Sequence, residues 1–166
     1  MNNHLKYALL CQEAYKLSNK STGFYYYQSG NIIIISGTDH LMDWHDNIRV
    51  FRPTVNGFHN RFEYYAQLIL EDINDFTTDF TIIGHSAGGC IAEYLALMTD
   101  NNAVSFGAPV IYFKKVLNNK SKIIRYQLKY DPVPRLSWGV RNCFNANTLV
   151  LPGWGHKIHH YINKLK

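Results

Sequence analysis

The stretch Thr81-Ile82-Ile83-Gly84-His85-Ser86-Ala87-Gly88-Gly89-Cys90-Ile91-Ala92-Glu93-Tyr94-Leu95-Ala96-Leu97 decides how this chain is read. An apolar, β-branched run comes first and a glycine-rich turn second. Apolar residues at helical spacing, Ile91, Leu95 and Leu97, follow with alanines between them. That is the pattern of strand, sharp turn and helix. In this setting the Gly84-x-Ser86-x-Gly88 spacing is that of a nucleophile elbow. Gly84 and Gly88 leave no Cβ where the turn is tightest, and Ser86 is held in a strained conformation that lifts its hydroxyl clear of the backbone. The helix behind it aims its N-terminal amides and positive dipole end at the same point. A bare Gly-x-Ser-x-Gly also occurs in ordinary βα turns, so the rest of the chain has to supply partners for the serine.

Upstream, residues 4–18 carry Leu5, Ala8, Leu9, Ala14 and Leu17, the stripe of an amphipathic helix that ends in the turn chemistry of residues 18–23. Residues 24–28, the turn at Ser29-Gly30-Asn31 and the run Ile32-Ile33-Ile34-Ile35 read as a hairpin. An unbroken isoleucine run belongs to a strand buried on both faces, as in a mostly parallel sheet. Residues 60–76 return to helical spacing through Phe62, Tyr65, Leu68, Ile69 and Ile73. After the elbow helix come a short strand at 103–106, a helix to about 117, and strands at 122–128 and 148–151. A closing helix at 156–166 is the last element. This alternation predicts an α/β fold with a mostly parallel central sheet and helices on both faces, formed as a single domain over 1–166.

Composition agrees with a globular chain: hydrophobic residues make 46%, charged residues 17% and aromatic residues 14%. The net charge of +5 is spread along the chain without a contiguous basic block, and no nucleic-acid module is visible. Cys11, Cys90 and Cys143 share no metal or redox spacing and read as reduced thiols. The N-terminus lacks the apolar core of a signal peptide and no apolar run is long enough to span a membrane, so the expectation is a soluble cytoplasmic protein. Neither a metal nor a cofactor is called for.

A serine hydroxyl becomes a useful nucleophile when a base takes its proton and a carboxylate orients that base. On elbow-bearing folds these partners follow in the order Ser, acid, His. Asp131 comes directly after a predicted strand, at the carboxyl end of the sheet with Ser86, and Pro132 and Pro134 stiffen its loop. A solvated turn aspartate is the plain alternative for an Asp-Pro pair. For the base the C-terminal segment offers His156, His159 and His160. His156 is favoured because it leaves a glycine-bounded loop, whereas the other two lie on the predicted helix. His85 is too close to Ser86 in the chain to act as its base and is expected to support the turn. An oxyanion hole needs two donors. The amide of Ala87 is one, and Thr38, after the strand-ending Ser36-Gly37, fits as the other.

Together these motifs resemble the class 3 lipases, the lipase family of the α/β-hydrolase fold that includes small fungal triacylglycerol lipases. Gly84 to Gly89 matches the family's Gly-His-Ser-x-Gly-Gly elbow, and Phe106-Gly107-Ala108-Pro109 its phenylalanine-glycine-proline signature. Asp131-Pro132-Val133-Pro134 matches its Asp-x-Val-Pro acid motif, and His156 with Tyr161 its closing histidine and downstream tyrosine. Ser36-Gly37-Thr38 with Asp43-Trp44 is similar to the oxyanion motif, with Ser36 in place of the family's arginine. His59-Asn60-Arg61-Phe62 is only loosely similar to the family's His-x-Gly-Phe. The match runs from about residue 8 to 161.

The resemblance implies a minimal α/β-hydrolase that cleaves lipid or acyl esters through an acyl-enzyme on Ser86, with Asp131 and His156 as its partners. A thioesterase or acyltransferase would use the same three residues. A non-catalytic interaction module on the fold is the alternative from another class, and it has no need of them in register. Residues 39–58, with Trp44, Phe51 and Phe58, occupy the place of the fungal lid. Trp44 and Phe51 are therefore expected to meet the substrate, and a peripheral lipid interface is the expected second partner.

Overall fold

Alternate members of the isoleucine run go to opposite sides of a sheet. Ile33 and Ile35 join the core on one face and Ile32 and Ile34 the core on the other, all buried. A strand with both faces buried has nothing to gain from polar residues, which is why the run is unbroken. The computed structural model describes residues 3–18, 25–37, 60–73, 79–109, 122–135 and 146–166.

Strands β1 (Tyr26–Ser29) and β2 (Ile32–Ile35) form the expected hairpin, with Tyr26 opposite Ile35. From β2 onward the sheet is parallel, through β3 (Thr81–His85), β4 (Asn102–Phe106), β5 (Ile123–Tyr130) and β6 (Ala146–Trp154). The spatial order is the chain order. Right-handed crossovers that always step in one direction put their helices on one face. Accordingly α2 (Asn60–Asp72) and α3 (Ala87–Thr99) share one core cluster, where Ala66 and Ile69 meet Ile91 and Leu95 over Ile33 and Ile82. The opposite face is closed by the first and last helices, α1 (Asn3–Leu17) and α4 (Ile158–Leu165), which pack against each other. Ala8, Cys11 and Ala14 of α1 and Ile158, Tyr161 and Ile162 of α4 lie over Ile34, Ile83, Val104 and Phe106.

Three details depart from the sequence reading. In α1 the buried line is Ala8, Cys11 and Ala14, whereas Leu9 and Leu17 are exposed. Small residues at a spacing of three let the helix lie close to the sheet, and the larger leucines fall outside that narrow line. Leu68 of α2 is likewise exposed. The last strand runs on to Trp154, past Pro152 and Gly153, which read as loop residues. Leu128 pairs with Leu151 but Tyr130 pairs with Trp154, so three steps on β6 match two on β5. This bulge on an outermost strand is a place where a proline's missing donor does no harm.

The elbow helix is anchored by charge. Arg125 of β5 and Glu93 of α3 form an ion pair in which both side chains are fully buried. Arg125 Nε donates to Glu93 Oε1 at 3.0 Å, and Ser105 Oγ of β4 donates to the same oxygen at 2.5 Å. Three elements beneath the turn are thereby joined through the Glu93 carboxylate.

Candidate active site

Each of the five parallel strands delivers one piece of the site just beyond its last residue. Gly37 lies two past β2, Ser86 one past β3, Gly107 one past β4, Asp131 one past β5 and His156 two past β6. In open parallel sheets the carboxyl ends are where ligands bind, because there the loops diverge and backbone groups come free.

Ser86 has φ 57° and ψ −127°, outside the ordinary regions for a residue with a side chain. The strain is held by packing on both sides. A Cβ at Gly84 would stand 2.3 Å from the Gly88 carbonyl oxygen, and one at Gly88 would stand 2.5 Å from the carbonyl oxygens of Ile35 and Ser36. Both glycines are therefore required by the close approach of β2, β3 and α3. The Ser86 amide donates to the Phe106 carbonyl at 2.9 Å, which ties the turn to β4.

His156 stands beside the serine. Its Nε2 is 2.8 Å from Ser86 Oγ, and its Nδ1 is 3.0 and 2.9 Å from the two oxygens of Asp131. A carboxylate only accepts, so Nδ1 carries the proton and Nε2 offers its lone pair to the serine hydroxyl. Asp131 is fully buried. Its Oδ1 accepts the Val133 amide at 2.9 Å across the 3₁₀ turn Val133–Arg135, and its Oδ2 accepts the Tyr161 hydroxyl at 2.5 Å. These donors take the place of lost hydration around the charge. Burial and the neighbouring carboxylate hold the Tyr161 phenol far above its usual range, so it stays a donor.

The structure thus brings Ser86, Asp131 and His156 into one hydrogen-bonded line. His159 is exposed and His160 half-buried on α4, away from that line, with their rings 4.0 Å apart. Ala87 is the first residue of α3, and helix geometry leaves its amide without an intrahelical acceptor. Gly37 touches the elbow, since a Cβ there would stand 3.1 Å from that of Ser86. Thr38, Trp44 and Phe51 lie outside the described residues, as do the segment 39–58, Cys143 and the helix expected to reach 117. Ser36 closes the hairpin: its hydroxyl accepts the Tyr25 amide at 3.0 Å.

The sequence reading gave Gly107 no part in the site, missed Tyr15, and expected of His85 only that it support the turn. Gly107, at φ +59°, leaves a space in which a Cβ would stand 2.8 Å from the Tyr161 hydroxyl and 2.9 Å from Asp131 Oδ2. Its signal was a glycine directly after a strand. Tyr15 of α1 lies 2.7 Å from His85 Nδ1, and His85 Nε2 lies 2.6 Å from the His156 carbonyl oxygen. That carbonyl only accepts, so His85 donates from Nε2 and accepts the Tyr15 hydroxyl at Nδ1. Burial, reinforced by His156, lowers the His85 pKa to about 3 and keeps the ring neutral. Nothing local in α1 marks Tyr15 for this role.

No family model and no curated protein sequence matches the chain. Solved structures do. A deletion mutant in the Rhizomucor miehei lipase propeptide complex superposes with a TM-score of 0.65 at 14% identity, covering 91% of this chain and 67% of that one. The native form of that complex gives 0.58 at 15% identity, over 82% and 63%. A triacylglycerol lipase from Penicillium expansum gives 0.56 at 16% identity, over 92% and 79%. The fold is that of the α/β-hydrolases. The chain spans about two thirds of the length of the Rhizomucor chains. At these identities the likeness speaks for the fold, and the chemistry rests on the residues themselves. Among the described residues no helix is long and apolar enough to cross a membrane.

Proposed function

We propose that this chain is a minimal class 3 lipase-like hydrolase that cleaves lipid or acyl esters through an acyl-enzyme on Ser86. The observation that carries the reading is the pair of contacts made by one imidazole, 2.8 Å to Ser86 Oγ and 2.9 Å to Asp131 Oδ2. As Oγ attacks the ester carbonyl carbon, its proton passes to His156 Nε2, and Asp131 stabilises the imidazolium that results. The carbonyl oxygen becomes an oxyanion held by the Ala87 amide and, one residue past Gly37, by the amide of Thr38. Collapse of the tetrahedral intermediate breaks the ester C–O bond, and His156 returns the proton to the departing alcohol. Water then gives a proton to His156 as its oxygen bonds to the acyl carbon. The bond from that carbon to Ser86 Oγ breaks, His156 returns the proton to Oγ, and the acid leaves. In this reading Trp44 and Phe51 meet the acyl chain from the segment 39–58. The buried free thiols Cys11 and Cys90 suit a reducing compartment, here the cytoplasm.

The test is a fluorophosphonate probe with the adduct located by peptide mass spectrometry, run beside turnover of p-nitrophenyl esters of graded chain length. Ser86 is the residue expected to carry the adduct. Labelling that persists in Ser86→Ala, or an absence of turnover on every ester, overturns the proposal.

A further inference from the structure

The charge of this chain has no contiguous block, but its balance shifts along the sequence. Residues 1–100 carry six Lys or Arg against eleven acidic residues, while residues 101–166 carry eleven against one. The single acid of the second part is Asp131, which is fully buried against His156 and Tyr161. The surface built from β5, β6 and α4 therefore shows cations without acids of its own.

Two large aromatics stand in that surface. Tyr130 and Trp154 end β5 and β6 and are register partners, yet they are 60% and 75% exposed. Asp131 follows the first directly and His156 comes two residues after the second, so the pair sits at the sheet edge that holds the site. Lysines surround it. Lys129 holds its ammonium 5.2 Å from the Tyr130 ring centroid, and exposed Lys157 follows His156. The stem of exposed Lys164 runs beside Gly153, the residue before Trp154, with its Cε 3.2 Å from where a Cβ would stand. The Trp154 ring lies 6.0 Å from that of His160.

We infer that this edge docks on an anionic phospholipid bilayer, through Tyr130 and Trp154 in the interfacial layer and Lys129, Lys157 and Lys164 against the headgroups. Amphipathic rings settle at headgroup depth, and lysine stems lie along apolar surface while their ammonium ends stay in the polar layer. Each cation near an anionic leaflet contributes about 1 kcal/mol, or about fivefold in binding. A second copy meeting it through the same face would oppose the same cations, whereas a bilayer satisfies rings and charges together. The inference rests on the ester-hydrolase reading for its purpose: docking brings the carboxyl edge, and Ser86 with it, against a lipid substrate.

The experiment is co-sedimentation of Ser86→Ala protein, which cannot consume its target through that serine, with phosphatidylcholine vesicles with and without phosphatidylglycerol. Binding is expected on the anionic vesicles and to fall with salt. In the same background Lys157→Gln and Lys164→Gln should each weaken it about fivefold, and Trp154→Ser should remove most of it. With Ser86 intact, Trp154→Ser should leave turnover of p-nitrophenyl butyrate unchanged. The inference is overturned by no binding, by equal binding to neutral vesicles, by binding indifferent to Trp154→Ser, or by equally tight binding to single-stranded RNA. Anionic-vesicle binding without any soluble-ester turnover would support the surface and overturn the hydrolase reading instead.

Discussion

His85, next in sequence to Ser86, donates its Nε2 proton to the backbone carbonyl of His156 at 2.6 Å. The two rings lie 4.8 Å apart between centroids. One histidine therefore fixes the main chain that carries the other, across 71 residues of sequence. Tyr15 completes the arrangement from α1 by donating to His85 Nδ1.

Removing the first donor should loosen the base and leave the rest in place. In Tyr15→Phe the His85 lone pair loses its partner inside the protein, at a stability cost of about 1–3 kcal/mol. In the proposed mechanism kcat for p-nitrophenyl esters should fall with KM little changed, because His156 rather than the acyl pocket is disturbed. A rise in KM with kcat unchanged would detach Tyr15 from the base.

The neutral His85 makes stability depend on pH in a definite direction. Its folded pKa, about 3, lies below the unfolded value of 6.5. Its contribution is therefore present above pH 6.5 and is lost as pH falls from there towards 3. Between pH 6.5 and 4 that loss is on the order of 3 kcal/mol. Urea midpoints at pH 7 and pH 4 should drop further in the wild type than in His85→Gln. Equal drops would refute the account.

Asp131→Asn preserves shape and removes charge. Its Nδ2 cannot accept the His156 proton, so the imidazole is pushed towards the wrong tautomer, and kcat should fall by about 10⁴-fold as in serine proteases. His156→Ala should abolish turnover, whereas His159→Ala should retain it. Circular dichroism checks that the fold survives in each. Activity that survives His156→Ala would remove that residue as the base.

Gly107→Ala tests the space between strand β4 and the acid. Positive φ costs an alanine about 1–2 kcal/mol, and its methyl would press on the Tyr161 hydroxyl and Asp131. Ester turnover should therefore fall more steeply than the thermal midpoint. A variant that is destabilised but turns over normally would show the contact to be structural alone.

The ion pair under the elbow should behave asymmetrically. Glu93→Ala strands the buried Arg125 guanidinium and should cost about 3–5 kcal/mol by urea unfolding. The double variant Glu93→Leu with Arg125→Met should recover much of that, since it leaves no uncompensated charge. Additive losses would mean that packing rather than charge dominates at this position.

The chain by itself determined whatever obeys a short-range rule. The clash of a Cβ in a tight turn marks Gly84 and Gly88, the two-faced burial of a parallel strand marks Ile32–Ile35, and the ends of strands mark Asp131. Period and sterics act over a few residues, so they can be read directly from neighbours. The glycine-bounded loop favoured His156 among three C-terminal histidines, but only tertiary structure brings it to Ser86, because that depends on where β6 ends, and a bulge opposite Leu128 and Tyr130 sets that. Tertiary structure also decided that Tyr15 and Tyr161 would donate at the site and that Glu93 would pair with Arg125. Those partners lie 30 to 70 positions apart. They meet because the sheet's register and the docking of α1, α3 and α4 carry them there, and those depend on the summed packing of two cores rather than on any local pattern.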